Sequence, residues 1–232
     1  MRSGVGKLTV HIPWRNNDIM QVALPEAILN HDEDDKRWTC SPFESCLPNK
    51  YSAIGIGPGI GREEKTAEAL YKTLLELNFT EVPLVLDADA LNILAEHPQW
   101  ADLIPNGTII TPHPLEYRRL VESGVCLDNV ILVLKGHPTT ITIPGNPSAQ
   151  YQCTYGNNGM GTAGSGDVLT GIILGLLAQG YPPRDAALLG VGLHALSGDL
   201  AASELGQHSL IASDLIENLH KAFKRVSNEH KL

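Results

Sequence analysis

The sequence predicts an α/β protein built on a mostly parallel central sheet with helices on both faces. Three observations lead there. Strand-like apolar runs alternate with helical segments through most of the chain, several runs are continuously apolar, and after Gly166 the pattern turns to helices alone. Alternation favours parallel pairing because a parallel connection has to cross back over the sheet, and continuous apolar runs suit strands covered on both faces. In such sheets ligands bind beyond the carboxyl ends of the strands, so informative residues should directly follow strands.

Taken in order, Met1 to Pro13 reads as a helix end followed by a short β-branched strand over Leu8 to Ile12. Asp32-Glu33-Asp34-Asp35, between Pro25 and Trp38, reads as a solvated loop. Ala53 to Ile56 is a strand running into glycines, and Arg62 to Leu77 has helical spacing. Pro83 to Leu86, Thr108 to Thr111 and Val130 to Leu134 are the continuous apolar strands, with a short helix near Leu115 to Val121. Thr139 to Ile143 and Tyr151 to Thr154 read as an antiparallel edge. Helices are predicted over about Asp167 to Gln179, Arg184 to Leu205 and Ser213 to Val226. No internal repeat interrupts this order.

A chain of 232 residues can bury a sizeable core, and one domain is the default. With 43% hydrophobic and 19% charged residues, nothing points to disorder. A net charge of −9 argues against nucleic-acid or anionic-membrane partners, which are met by clustered Lys and Arg. Anionic small molecules remain open, since backbone N–H groups at a helix start bind phosphate whatever the net charge. Cys40, Cys46, Cys126 and Cys153 form no C-x-x-C pair and no zinc-type spacing. They read as free thiols of a reducing cytoplasm, with a Cys40–Cys46 disulfide as the weaker alternative. No stretch reads as the roughly 20 apolar residues of a membrane span, and the N-terminus does not read as a signal peptide.

The strongest local signal is Gly156-Asn157-Asn158-Gly159-Met160-Gly161-Thr162-Ala163-Gly164-Ser165-Gly166-Asp167. Its glycines let a ligand approach the main chain. The helix that follows, Val168 to Leu177, is apolar on nearly every side and therefore buried, so its start presents N–H groups and a positive dipole end inside the protein. Asp167 is either the cap of that helix or a base beside a phosphate held there. The crowd of glycines, which a cap does not require, favours the second. A phosphate loop of the G-x-x-x-x-G-K-[ST] kind is absent. Gly55-Ile56-Gly57-Pro58-Gly59-Ile60-Gly61 fails the G-x-G-x-x-G dinucleotide pattern.

Five motifs follow one another: Ile56-Gly57-Pro58-Gly59-Ile60-Gly61, Leu86-Asp87-Ala88-Asp89-Ala90-Leu91-Asn92, Thr111-Pro112-His113-Pro114, Val133-Leu134-Lys135-Gly136-His137-Pro138-Thr139 and Gly159 to Asp167. In this order they resemble the ADP/ATP-dependent NAD(P)H-hydrate dehydratases of the ribokinase-like superfamily, over nearly the whole chain. The resemblance implies a ribokinase-like fold and a metabolite-repair lyase that returns hydrated NADH or NADPH (the S epimer) to the normal cofactor. ADP or ATP is the implied co-substrate, with Mg2+ on the nucleotide's phosphates. It implies Asp167 as the base, and N–H groups from Thr162 to Gly166 around the transferring phosphate. Lys135, Gly136, His137, Pro138, Thr139 and Gly166 are implied at the adenine nucleotide, and Gly59 and His113 at the hydrated nicotinamide. Asp87 and Asn92 are implied in the pocket, and a cytoplasmic homo-oligomer, a tetramer, is implied as the assembly.

Each residue has a plainer use. His113, between two prolines, suits a turn; Lys135 suits a solvated strand end; Gly57 and Gly59 suit a tight strand-to-helix turn. Asp87 and Asp89 without a third ligand argue weakly for a metal. Against the family pattern, residues 1–232 read as one domain short of the first strand, its glycine loop and most of the first long helix. Leu120 to Val130 is too short for the helix relatives place there. His137 and Asn158 stand where a small residue and a proline are common. A vitamin-precursor kinase of the same superfamily and a nucleotide-binding module without turnover are the alternative functions.

Overall fold

The computed structural model describes residues 1–43, 48–145 and 150–229. β1 (Thr9–Ile12) pairs in parallel with β2 (Ile28–His31) as a separate two-stranded sheet. β3 (Ile54–Ile56), β4 (Leu84–Leu86), β5 (Ile109–Ile110), β6 (Ile131–Leu134), β7 (Thr139–Thr142) and β8 (Gln150–Cys153) form one six-stranded sheet in sequence order. β3 to β6 are parallel, and β7 and β8 are antiparallel additions at the edge. The change of direction follows from chain length: only Lys135 to Pro138 join β6 to β7, too few residues for a crossover.

The crossovers within the parallel part carry α2 (Glu64–Leu77), α3 (Ala88–Glu96) and α4 (Pro114–Glu122). Because right-handed crossovers between successive neighbours all fall on one side, these helices share a face. The alternation of strand side chains then makes two cores. Leu84, Leu86 and Ile110 point towards Leu70, Leu74 and Leu77 of α2, Leu91 of α3 and Leu120 of α4. Val85, Ile109, Ile131 and Val133 point the other way, onto the carboxyl-terminal helices α5 (Ser165–Ala178), α6 (Pro183–Leu205) and α7 (Ala212–Glu229). α5 buries Leu169, Ile172, Ile173, Leu176 and Leu177, as a helix apolar all round should. It meets α6 closely where Gly190 has no side chain: a Cβ there would lie 2.7 Å from Ile173 Cγ1.

Several expectations change. Residues 2–4 form a turn, not a helix end, before β1. α1 (Asn17–Ala23), β2 and α3 were not anticipated. The Asp32 to Asp35 run is not uniformly a solvated loop, since Asp32 is 5% exposed. Its Oδ1 accepts from the Asp34 N–H and the Thr39 hydroxyl, and its Oδ2 from the Thr39 N–H and the Cys40 thiol, with His11 Nε2 at 3.1 Å. Burial alone would raise this carboxyl, but the bonds from Thr39, Asp34 and His11 hold it well below the usual range. α6 is long and apolar enough by composition to cross a membrane, contrary to the sequence reading; half of its most apolar stretch is buried, against α5, α7 and the sheet. Cys126 and Cys153 are free thiols; Cys46 lies outside the described residues.

Candidate functional site

The ends of β4, β5 and β6 and the start of α5 converge on one buried carboxylate. Asp87 follows β4 directly, caps α3 by accepting the Ala88 N–H, and is 1% exposed. A buried carboxylate is tolerated only when its oxygens are matched by donors. Oδ1 also accepts from Lys135 Nζ at 2.7 Å, and Oδ2 from the Thr170 hydroxyl at 2.6 Å. Thr170 Oγ1 in turn lies 3.2 Å from Thr111 Oγ1, just after β5. Lys135 stands at the end of β6, and Thr170 lies in α5.

The backbone around Asp87 is specialised. Ala88 has φ +49°, the one non-glycine residue with positive φ among those described. Gly57 has φ +142°, and a Cβ on it would overlap the Asp87 carbonyl oxygen, so only glycine closes the β3 loop onto this position. Gly59 follows at φ +70° with open space where its side chain would be. The Gly61 N–H is held by Asp89 Oδ2 at 3.0 Å, which spends that carboxylate on the loop.

α5 begins with Gly164 at its N-cap, at φ +84° and with no side-chain cap bond. Asp167 is therefore the third helical residue, not the cap. Its carboxyl is held above the ordinary range by burial first and by the negative charge of Asp87 second, with Lys135 pulling it back. Gly166 leaves room for Lys135: a Cβ there would be 3.1 Å from Nζ. Behind the same turn, His194 of α6 places Nε2 3.0 Å from the Ser165 carbonyl oxygen and 3.3 Å from its hydroxyl. Burial pushes this imidazole down to about 4, so at neutral pH it is uncharged and donates through Nε2 to the carbonyl.

The remaining candidates lie on neighbouring loops. His113 is the N-cap of α4: its Nδ1 accepts the N–H groups of Leu115 and Glu116, and Glu116 Oε2 accepts the His113 N–H. The plainer reading gave it a turn; the structure makes it a helix start, and with Nδ1 accepting the proton sits on Nε2, on a side chain 45% exposed. Asn92 ties α3 to α4, donating to the Ala88 carbonyl and accepting from Arg119. Gly136, His137 and Pro138 are exposed in the β6–β7 connection, where Thr139 Oγ1 donates to the Gly136 carbonyl. The structure thus gathers Asp167, Gly166, Lys135 and Asp87 into one cluster, with Gly59 and His113 on adjoining loops.

Thr170 and His194 escaped the sequence reading. Thr170, one turn after Asp167, is the one polar side chain in the rest of α5, and His194 is the one polar side chain in the apolar run Ala186 to Leu196 of α6; that isolation was the available signal. A cavity of about 730 Å³ lies at the opposite end of the sheet, lined by Pro83, Thr108 and Val130 just ahead of β4, β5 and β6. None of the clustered groups lines it, and parallel sheets bind ligands at the other edge, so it is not assigned this chemistry.

The sequence profile of the NAD(P)H-hydrate dehydratase family matches residues 1–221. A bifunctional NAD(P)H-hydrate repair enzyme of Moorella thermoacetica is 34% identical over 99% of this chain but 46% of its own length. The chain thus spans less than half of that relative. The ADP-dependent (S)-NAD(P)H-hydrate dehydratase of Bacillus subtilis is 31% identical over 97% of this chain and 81% of its own. A crystal structure of the ADP/ATP-dependent NAD(P)H-hydrate dehydratase from Bacillus subtilis, grown with ATP/Mg2+, superposes with a TM-score of 0.76. It is 28% identical, covering 97% of this chain and 83% of its own. The fold is ribokinase-like, as the motifs implied.

Proposed function

The chain belongs to the NAD(P)H-hydrate dehydratase family, and from that premise we propose that it dehydrates the S epimer of hydrated NADH or NADPH at the expense of ADP or ATP. One observation carries the reading: Asp167 stands in the first turn of a buried helix whose glycine N-cap leaves that turn open to an anion, with Lys135 alongside. Asp167 takes the proton of the hydrate's ring hydroxyl as the hydroxyl oxygen attacks the terminal phosphorus. The bond from that phosphorus to the nucleotide breaks, releasing AMP from ADP or ADP from ATP. The ring C–O bond then breaks to release phosphate, and a proton leaves the neighbouring carbon to restore the ring double bond. A carboxyl raised by burial and by Asp87 is a better proton acceptor than an ordinary aspartate.

The first-turn N–H groups of α5 receive the transferring phosphoryl oxygens. His194, neutral at working pH, steadies the Ser165 peptide without adding a second positive charge. Gly59 and the Nε2–H of His113 line the side from which the hydrated ring enters, and Gly136 to Thr139 border the adenosine. Among the described residues, the one group of His, Cys, Asp and Glu side chains close enough to hold an ion is His11, Asp32 and Cys40, outside this site. Magnesium would come bound to the nucleotide's phosphates, as the family resemblance implies, and would supply charge shielding there.

The test is recovery of NADH absorbance from hydrated NADH with magnesium and ADP or ATP, beside Asp167→Asn. The expected result is nucleotide-dependent recovery that falls by about 100-fold or more in the variant. A stable phosphorylated product from a small alcohol, with no NADH recovery, would make the protein a kinase instead.

A further inference from the structure

Sequence order groups Lys135 with Gly136 to Thr139 in one segment at the adenine nucleotide, without saying which end of the nucleotide it meets. Lys135 Nζ lies 2.7 Å from Asp87 Oδ1 and against Gly166, at the amino end of α5. Asp87 is itself fixed, since its two oxygens also take the Ala88 N–H and the Thr170 hydroxyl. We propose that Asp87 is a positioning residue that holds the Lys135 ammonium over the amino end of α5, so that Lys135 contacts the terminal phosphoryl group of the nucleotide and not its adenosine. This rests on the nucleotide-dependent reading above and adds to it which end of the nucleotide Lys135 serves and what aims it there.

Lysine is a compact charge on a flexible stem, and an unheld ammonium samples many rotamers. Here the Asp87 bond removes that freedom before a ligand arrives. An ammonium has three donors, so one bond to Asp87 leaves two for phosphate oxygens. Gly166 keeps the approach clear, because any side chain there would crowd Nζ. A donor held in place by the fold interacts with developing charge more strongly than a mobile one. The same arrangement acts on Asp167. Asp87 from the end of β4 pushes its carboxyl up, Lys135 from the end of β6 pulls it down, and uncharged His194 of α6 backs the same turn.

The experiment compares wild type, Asp87→Asn, Lys135→Met and the double variant. Calorimetry with magnesium and ATP, and separately with AMP, reads which end of the nucleotide is lost. Lys135→Met is expected to weaken ATP by about tenfold or more while AMP stays within about twofold, the loss of a charge-assisted bond confined to the phosphoryl end. Asp87→Asn should weaken ATP in the same direction and by less. The double variant leaves no buried charge unpaired, so it folds even where the single ones are unstable, and it should bind ATP as poorly as Lys135→Met. Equal losses of AMP and ATP, or ATP affinity restored in the double variant, overturn the proposal.

Carbon-13 NMR titration of the Asp167 carboxyl supplies a second readout that a purely structural role would not move. Asp87→Asn should shift its midpoint down and Lys135→Met should shift it up. Shifts in one common direction, or none, overturn the placement. If these results hold while wild type fails to dehydrate the hydrate, the dehydratase reading falls and the phosphoryl placement of Lys135 stands.

Discussion

The six-stranded sheet and the two-stranded sheet are held by different forces. In the first, β4 is buried at every residue, and its side chains alternate between two apolar cores. In the second, neither core contains a residue of β1 or β2. There the side chains bond laterally: His11 Nδ1 to Asn30 Oδ1 at 2.6 Å, His11 Nε2 to Asp32 at 3.1 Å and His31 Nε2 to Asn17 Oδ1 at 3.0 Å. Trp14 tilts onto His31 with ring centroids 4.3 Å apart. Apolar burial is non-directional and grows with area, so it ties distant strands and helices into one unit. A hydrogen-bonded hub holds only what it touches and, when broken, leaves costly unpaired groups. The polar sheet should therefore open more locally than the apolar one.

The largest expected effect is in the apolar sheet. Leu86, fully buried in β4, faces α2 and α3, and Leu86→Ala should cost about 2–5 kcal/mol by transfer and cavity terms together. Denaturant unfolding should show a lower midpoint with an unchanged slope, and amide exchange should rise throughout β3 to β6.

Next comes pH, which separates the two regions. The folded value of His194, about 4 against an unfolded 6.5, means that the unfolded chain binds more protons between those values. Stability is therefore full above 6.5 and falls by about 3 kcal/mol as the pH drops to about 4. Asp167, whose carboxyl is raised, acts in the opposite sense, stabilising below 3.8 and losing that contribution as pH rises. Urea titrations in an Asp167→Asn background, with and without His194→Gln, isolate the histidine; an equal slope in both would refute its assignment. Asp32 works in a lower window, because its contribution is present above 3.8 and is lost as pH falls through its depressed folded value.

Asp32→Ala sharpens the comparison at the polar sheet. It strands the Asp34 and Thr39 N–H groups and should cost about 2 kcal/mol. Hydrogen exchange should quicken in β1 and β2 and leave β4 to β6 unchanged. Exchange rising equally in both sheets would mean that the two form one cooperative unit, and the contrast drawn above would fail.

The smallest effect is His113→Ala, which removes the α4 cap and should cost about 1 kcal/mol. A merely structural His113 is restored by His113→Asn, a good capping residue. If the Asn variant regains stability but not the KM for hydrated NADH, His113 also contacts substrate.

The contrast explains what could be read in advance. Pro83 to Leu86, Thr108 to Thr111 and Val130 to Leu134 announced their strands because burial on both faces demands uninterrupted apolar residues. β2 was hidden, since Ile28-Leu29-Asn30-His31 mixes apolar and polar side chains that meet partners elsewhere in the chain. α3 was hidden behind a pocket motif whose Asp87 turned out to be its cap. In the site, Asp167 and the glycines before it were legible because a helix start open to an anion has a local composition.

By itself the sequence determined the parallel sheet, the buried helix α5, the antiparallel edge and the order of the motifs, all properties of short stretches set by backbone geometry and side-chain period. Tertiary structure alone decided that Asp32 is buried, that His194 reaches Ser165, and that Asp87 joins Lys135 and Thr170. The physical reason is that a polar group's burial depends on its partner, and these partners come from strands and helices far away along the chain. No local periodicity records which donor will meet which acceptor once two cores have closed around the sheet.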